Sequence, residues 1–468
     1  MLRLYDTATG AVAPLEPRDP GSVGLYVCGP TVYGPPHVGH GRFVLVYDVL
    51  RRYLEHTGLA VRHVSNVTDV DDKIIARAST EGRDWREVAA ESEQQWWATM
   101  DAMGVLRPTE VPHATGYVEE MVDLVAALVE RGVAYEVGDG VYLACDAVDG
   151  YGLLAHQDIE TLRASAGARL AVADEKRSPV DFALWKKAKP GEPTWGSPFG
   201  QGRPGWHTEC VVMSLALLGD GFDVHGGGLD LVFPHHENER AQAVALGRPF
   251  ARRWVHNGLV TVGGEKMSKS LGNVTDLAEI VASSDPRAYR LLVLRAHYRS
   301  PLEVGAPTLA DASSALARVD ELARRLDAVG REMPRDGARA PGAGGGRAAS
   351  ALADAEAVAF ADAMDDDLAT PRALAGLLGA VRRANSLLDR RDVAGGAALG
   401  RAALDLLGVL GIARRSAEEA DEGVLDIVRR RDAARADRDF ATADNLRAEL
   451  ESRGWVVEDS PNGTKVRR

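Results

Sequence analysis

At 468 residues, 45% hydrophobic and 26% charged, the chain is long enough for several packed domains and is neither disordered nor fibrous in composition. Its net charge of -13 excludes a surface coated in positive charge, so a nucleic-acid partner would have to be held by local patches. The N-terminal stretch lacks a basic segment followed by an apolar run, and nowhere do about eighteen apolar residues follow one another, so a soluble cytoplasmic protein with no membrane partner is expected. The three cysteines, Cys28, Cys145 and Cys210, are too few for a disulfide framework and are expected as free thiols or metal ligands.

In chain order, Gly24 to Cys28 reads as a strand, followed by the Gly/Pro-rich loop of YVCGPTVYGPPHVGHGR. Apolar residues at Phe43, Val46, Tyr47, Leu50, Tyr53 and Leu54 have helical spacing. Pro35 and Pro36 stand at the helix start and Gly58 at its end, and Val61 to Val64 reads as the next strand. In this β-loop-α-β unit His37 and His40 fall at a helix N-terminus, where N–H groups and the macrodipole suit a phosphate. Residues 117–200 form a mixed insertion: a helix in GYVEEMVDLVAALVERG, a short strand around Gly140 to Ala144, and a loop-rich polar remainder. The α/β pattern of 1–116 resumes over 201–284.

In VFPHHENER, Pro234 can start a helix, placing His235 and Glu239 at i and i+4 on one face. With Cys28 and Cys210 they make a reasonable tetrahedral set for zinc. A capped helix start beside two small core cysteines fits the spacing equally well. A zincin does not, because the register from His236 puts Arg240 where the second histidine belongs. Further on, Lys266 and Lys269 in KMSKS follow Gly263 and Gly264 on a turn that could close over a polyphosphate; taken alone, such a loop is as easily a solvated surface. Residues 285–412 are mostly helical, interrupted at 331–350 by a Pro/Gly/Ala-rich segment that reads as a mobile linker. Residues 413–468 form a charged unit. There Arg429 to Arg431, Arg435, Arg438, Arg447, Arg453, Lys465, Arg467 and Arg468 supply positive charge, and Phe440 and Trp455 offer stacking surfaces. An Arg/Asp helix laced with i, i+4 pairs is the alternative for most of these charges.

HVGH followed by KMSKS resembles the signature pair of class I aminoacyl-tRNA synthetases. Within that class YVCGPTVYGPPHVGHGR, NVTDVDDKIIARA, DFALWKKAKPGEPTWGSPFGQGRPGWHTEC, FDVHGGGLDLVFPHHENE and GEKMSKSLGN resemble cysteinyl-tRNA synthetases, and the likeness runs through RRDAARADRDFATADNLRAEL to the end of the chain. Val38 stands where isoleucine is frequent, a swap between β-branched residues. The resemblance implies an α/β fold: a Rossmann-type catalytic domain split by the connective insertion, then an α-helical bundle and a small C-terminal anticodon-binding domain. It implies one Zn2+ per chain on Cys28, Cys210, His235 and Glu239, with Cys145 a structural thiol. It implies ATP, with Mg2+, bound by His37, Gly39, His40, Lys266, Ser268 and Lys269, of which His37, His40, Lys266 and Lys269 act in catalysis. L-cysteine would lie against Cys28, Gly29, Thr31, Thr68, Trp206 and Asp230, and tRNA-Cys would be read by Arg435, Phe440, Asp444, Arg447 and Asp459. A monomer is expected. Two rivals remain: a ligase that activates cysteine and passes it to an aminosugar, and a non-catalytic zinc-stabilised RNA-binding paralogue. The first would lack the unit after residue 413, and the second would show eroded HVGH or KMSKS.

Overall fold

The protein is described from a computed structural model covering residues 1–166, 176–266, 275–332, 343–413, 422–460 and 463–467. A hairpin of β1 (Arg3–Asp6) and β2 (Ala11–Pro14) precedes β3 (Ser22–Val27), α1 (Val38–His56) and β4 (Ala60–Ser65). Strands β3 and β4 pair in parallel from Ser22 opposite Ala60 to Val27 opposite Ser65, a pairing that needs the crossover α1 provides. Helices α2 (Asp72–Glu81) and α3 (Trp85–Ala102) follow.

The insertion contains α4 (Val118–Glu130), β5 (Ala134–Val137), β6 (Gly140–Leu143), α5 (Ile159–Ala166), β7 (Phe182–Lys187) and β8 (Gly202–Pro204). Its strands form one antiparallel sheet in the order β5-β6-β7-β8, so the stretch read as loop-rich carries one of its four strands, β7, and the sheet runs past residue 200 with β8. Strand β7 is buried at Phe182, Leu184 and Trp185, while its lysines reach outward to Glu136 and Asp72. Cys145 is buried here, its thiol 3.2 Å from the Val180 carbonyl.

After the insertion come α6 (Trp206–Leu218), β9 (Val224–Gly228), α7 (Glu237–Ala245), β10 (Arg253–Asn257), β11 (Val260–Val262) and β12 (Glu265–Lys266). Strands β9 and β10 extend the first sheet to the all-parallel order β10-β9-β3-β4. Strand β3 therefore has β4 on one side and β9, contributed from beyond the insertion, on the other. In an open parallel sheet the crevice at the carboxyl ends on either side of such a reversal is where ligands bind.

Helices α8 (Leu277–Ser283) and α9 (Pro286–Leu294) and strand β13 (Leu302–Glu303) lead to four long helices, α10 (Ala306–Glu332), α11 (Ala343–Met364), α12 (Thr370–Asp389) and α13 (Val393–Val409). Of the segment read as a mobile linker, residues 333–342 lie outside the described residues, whereas residues 343–350 are already the first turns of α11. The C-terminal unit is α14 (Glu422–Ala436), α15 (Phe440–Ser452) and a hairpin of β14 (Val456–Ser460) and β15 (Gly463–Arg467). Among the described residues no helix is long and apolar enough to cross a membrane.

Two buried arginines tie α1 to its surroundings. The Arg42 guanidinium donates to the carbonyls of Leu259, Tyr298 and Ser300, pinning the start of α1 to the approach of β11. Arg290, fully buried on α9, pairs with Asp48 at 2.5 Å and donates to the carbonyls of Met103 and Gly104. Burial alone would raise the Asp48 pKa, but Arg290 and Arg52 hold it below its usual value. Asp48→Ala would strand the Arg290 charge in the interior, and a loss of about 3–5 kcal/mol is expected, read as a lower midpoint in urea unfolding. Because the Asp48 pKa is depressed on folding, its contribution is present above the unfolded pKa and fades as pH falls through the folded one.

Candidate active site

Cys28 directly follows β3, and its N–H donates to the Gly226 carbonyl of β9, so it stands at the reversal of strand order. The next residue must be glycine. A Cβ on Gly29 would lie 1.6 Å from the Asn66 carbonyl oxygen. Glycines also line β9, where a Cβ on Gly226 would meet the Tyr47 ring at 2.3 Å; their absence of side chains lets the Tyr47 hydroxyl sit 2.8 Å from the Gly227 carbonyl and 2.7 Å from that of Val255. Helix α1 is thereby locked under the sheet's carboxyl end.

Around Cys28 four donors converge. Its Sγ lies 3.6 Å from Cys210 Sγ and 3.4 Å from Glu239 Oε1; His235 Nε2 lies 3.6 Å from Cys210 Sγ and 3.0 Å from Glu239 Oε1. All four side chains are buried. A tetrahedral zinc with bonds of about 2.3 Å to sulfur and about 2.0–2.1 Å to nitrogen and oxygen would space its ligands about 3.3–3.8 Å apart, and of these four edges three fall in that range while the His235–Glu239 edge is tighter. Burial favours a neutral Cys210 thiol, yet hydrogen bonding to Cys28 and His235 brings its pKa down to about 6. Burial likewise opposes charge on His235, and the Glu239 carboxylate and Cys210 outweigh it, lifting the imidazole to about 10. Helix α7 starts at Glu237 and not at Pro234. Phe233 is extended (φ -139°, ψ 130°), as the residue before a proline tends to be, and His235 sits in a wide turn of Val232–His236 from which it still meets Glu239.

A cleft of about 340 Å³ opens from this cluster, lined by Cys28, Gly29, Thr31, Trp206 and Asp230 at one end and by His37, Gly39, His40 and Val260 at the other. Trp206 stacks on the His235 ring at 4.0 Å. Asp230 is exposed on the rim, in the turn after β9. Thr68 is not among the lining residues: it is buried beneath the cleft floor, its backbone bridged to Thr31 and its hydroxyl donating to Glu209 Oε2 at 2.9 Å.

His37 is the N-cap of α1, and the two histidines cap it reciprocally: His40 N–H donates to His37 Nδ1 (3.3 Å) and His37 N–H to His40 Nδ1 (3.2 Å), the rings stacking 3.6 Å apart. With Nδ1 accepting in both, Nε2 carries the proton of each neutral ring. The expectation of several open amides is narrowed. Val38 N–H donates to Thr275, which leaves the Gly39 N–H without a partner among the described residues. Residues 275–277, just beyond the KMSKS stretch, are bonded directly to this turn through the Val38–Thr275 and Leu277–Pro36 backbone pairs. Lys266 ends β12; Ser268 and Lys269 lie outside the described residues.

Residues 14–314 match the family of class I (C) tRNA synthetase catalytic domains, residues 359–414 the DALR domain, and residues 417–467 the cysteinyl-tRNA ligase anticodon binding domain. Cysteine–tRNA ligases of Alkalilimnicola ehrlichii and Streptomyces avermitilis are 44% and 42% identical, the first alignment covering 100% of both chains and the second 99% of this chain and 98% of the relative. The chain belongs to the cysteinyl-tRNA synthetase family. Solved class I synthetases share the fold. Methionyl-tRNA synthetase of Mycobacterium tuberculosis superposes with a TM-score of 0.61 at 18% identity over 84% of this chain and 90% of its own, and a leucyl enzyme of Agrobacterium radiobacter with 0.59 at 12% identity over 85% and 86%.

The synthetase surrounds its cluster with residues that sequence reading passed over. His225 Nε2 lies 2.7 Å from Glu239 Oε2, and His207 and His235 approach at 2.9 Å through Nδ1. His225 and His236 also form, with Cys28 and Glu239, a second set of close donors; of either set only Cys28 lines the cleft, and it is His235 that Trp206 of the cleft wall stacks on. The only sequence signal for His225 is a lone histidine ahead of the β9 glycines. In the C-terminal unit of the synthetase Phe440 is 64% exposed at the start of α15, and Asp444 and Arg447 are exposed on the same helix. Arg435 pairs with Asp459 at 2.7 Å. Arg447–Glu451 and Arg453–Glu449 are i, i+4 pairs, as the alternative reading of these charges expects. Trp455 is no stacking surface. It is buried with Val424, Ile427, Leu446, Leu450 and Val457 as the unit's core.

Proposed function

We propose that this chain charges tRNA-Cys with L-cysteine through a cysteinyl-adenylate, and that Cys28, Cys210, His235 and Glu239 hold one Zn2+ facing the substrate side chain. The observation that carries the reading is the close convergence of these four buried donors behind the cleft that reaches His37 and His40, with Cys28 in its wall. Bound there, zinc would offer the substrate a soft Lewis acid that favours a thiolate, of ordinary pKa about 8.5, over the hard, far less acidic hydroxyl of serine, a distinction that a pocket judging size alone makes only about 10- to 200-fold per small group.

The protein's own residues do the rest. Trp206, stacked on His235, fixes that ligand's ring, and Asp230 on the rim is placed for the substrate ammonium. The cysteine carboxylate attacks the α-phosphorus of ATP, which enters with Mg2+; the new C–O–P bond forms as pyrophosphate leaves. His37 and His40 present Nε2–H donors, and Gly39 its N–H, to the charge that develops on the phosphate oxygens, with Lys266, Ser268 and Lys269 as further groups for ATP and its leaving pyrophosphate. A terminal ribose hydroxyl of the tRNA then attacks the carbonyl carbon, the mixed anhydride bond breaks, AMP departs, and the hydroxyl proton leaves with it. Arg435, Phe440, Asp444, Arg447 and Asp459 form the anticodon-facing side of the C-terminal unit. The enzyme acts as a cytoplasmic monomer.

The test is attachment of radiolabelled cysteine to a tRNA-Cys transcript beside an aminosugar acceptor. Label on the RNA is expected, and label on the aminosugar alone would replace this reading with the ligase. A further prediction concerns His225. His225→Phe removes the donor that orients Glu239, and zinc affinity, measured by competition with a chelator, should fall about 10- to 100-fold.

A further inference from the structure

A second cavity, of about 430 Å³, lies against the cleft, and the two share Pro30, Thr31, Tyr33, His37 and His40 as a common wall. Its other walls come from Arg77 in the middle of α2, from Ser92 and Trp96 in the middle of α3, and from the loop before α1. They are largely apolar, with Val32, Pro35 and Trp96 among the lining residues and a single arginine, Arg77. The Arg77 charge is already matched: Nε lies 2.6 Å from Glu81, and Nη1 donates to the Tyr33 carbonyl and Ser92 Oγ, while Nη2 keeps its two hydrogens without a partner among the described residues. Asp276, the other ionisable group at the wall besides the histidines, is committed as N-cap of α8. A nearly neutral cavity of this size, with aromatic Tyr33 at the shared wall and one planar pair of donors, is ill suited to a pyrophosphate and well suited to an uncharged purine or pyrimidine nucleoside.

From this geometry we infer that the cavity receives the 3′-terminal nucleoside of the tRNA, with Arg77 Nη2 donating to the base and Tyr33 packing against it. The shared wall places the ribose of a nucleoside bound there beside the adenylate, where the second half-reaction needs its hydroxyl. This rests on assigning the neighbouring cleft to cysteine and ATP.

Arg77→Met in the full-length zinc-loaded protein tests it. Cysteine-dependent ATP–pyrophosphate exchange and the KM for ATP should stay within about twofold of the parent. Single-turnover transfer from preformed cysteinyl-adenylate to tRNA-Cys should slow about 10- to 100-fold, the loss expected for a charged donor. The parent's preference for a transcript ending in adenosine over one ending in cytidine should shrink with it, and Arg77→Lys should recover part of the transfer rate. Gly34→Phe is a second probe: a Cβ at Gly34 meets open space, so the ring can fill the cavity, and transfer should be lost with exchange retained. Unchanged transfer in both variants would overturn the inference. So would a raised KM for ATP in Arg77→Met, which would assign the cavity to ATP. Absence of exchange in the parent itself would instead defeat the reading of the cleft.

Discussion

Cys210→Ala is expected to fold, to purify with far less than one zinc per chain, and to lose cysteine-dependent ATP–pyrophosphate exchange almost completely. The side chain is small and buried on α6, so the cavity left behind is slight, whereas the chemistry lost is not. Removing it leaves one thiolate, one imidazole and one carboxylate, and His235 and Glu239, 3.0 Å apart, are then free to satisfy each other as an ion pair. If loosening a ligand's hydrogen-bond partner costs about 10- to 100-fold in metal affinity, deleting a ligand must cost more. The residual exchange should no longer favour cysteine over serine, because only the size of the pocket would remain to tell them apart. Metal analysis, circular dichroism and exchange with both amino acids check these outcomes together.

His40→Ala should act on the other end of the cleft. The loss expected is about 10²- to 10³-fold in kcat for cysteine activation, as for one donor removed from a preorganised oxyanion site, with the KM for cysteine nearly unchanged. A cap is lost as well, since His40 Nδ1 accepts from the His37 N–H, and about 1 kcal/mol of stability should go with it. His40→Gln keeps an acceptor for the cap and a donor for the phosphate and should recover part of both. Stopped-flow measurement of adenylate formation separates the kinetic effect from the stability effect, and a variant that merely raised the KM for ATP would show that His40 contributes to binding and not to the transition state.

Much of this was legible because the motifs sit where chain geometry is least negotiable. The β3-loop-α1-β4 unit was readable from helical spacing in Phe43 to Leu54 and from the prolines before it, and Cys28 could be placed at a strand end. The pairing of Cys28 with Cys210, His235 and Glu239 came through long resembling strings, since donors this far apart along the chain have no common period. What escaped has physical reasons. Strand β7 was hidden because its end, which carries Lys186 and Lys187 toward Asp72 and Glu136, looks like polar loop, and β8 because three residues are too few to show a period. Pro234 can open a helix, but the extended residue that a proline imposes before it delayed α7 to Glu237. Trp455 as an aromatic among arginines suggested a base-stacking surface, when the small C-terminal unit had few other large side chains with which to build a core. Thr68 and His225 act from below the cleft, and burial is a property the sequence does not print.

The most direct measurement is the absorption of the cobalt-substituted protein as L-cysteine or L-serine is added. Two thiolates on the metal should give a sulfur-to-cobalt charge-transfer band in the free protein, and L-cysteine should strengthen it by bringing a third sulfur to the ion, while L-serine leaves it unchanged. A band that ignores L-cysteine, or that responds equally to both amino acids, would contradict recognition of the substrate through the Cys28, Cys210, His235 and Glu239 centre.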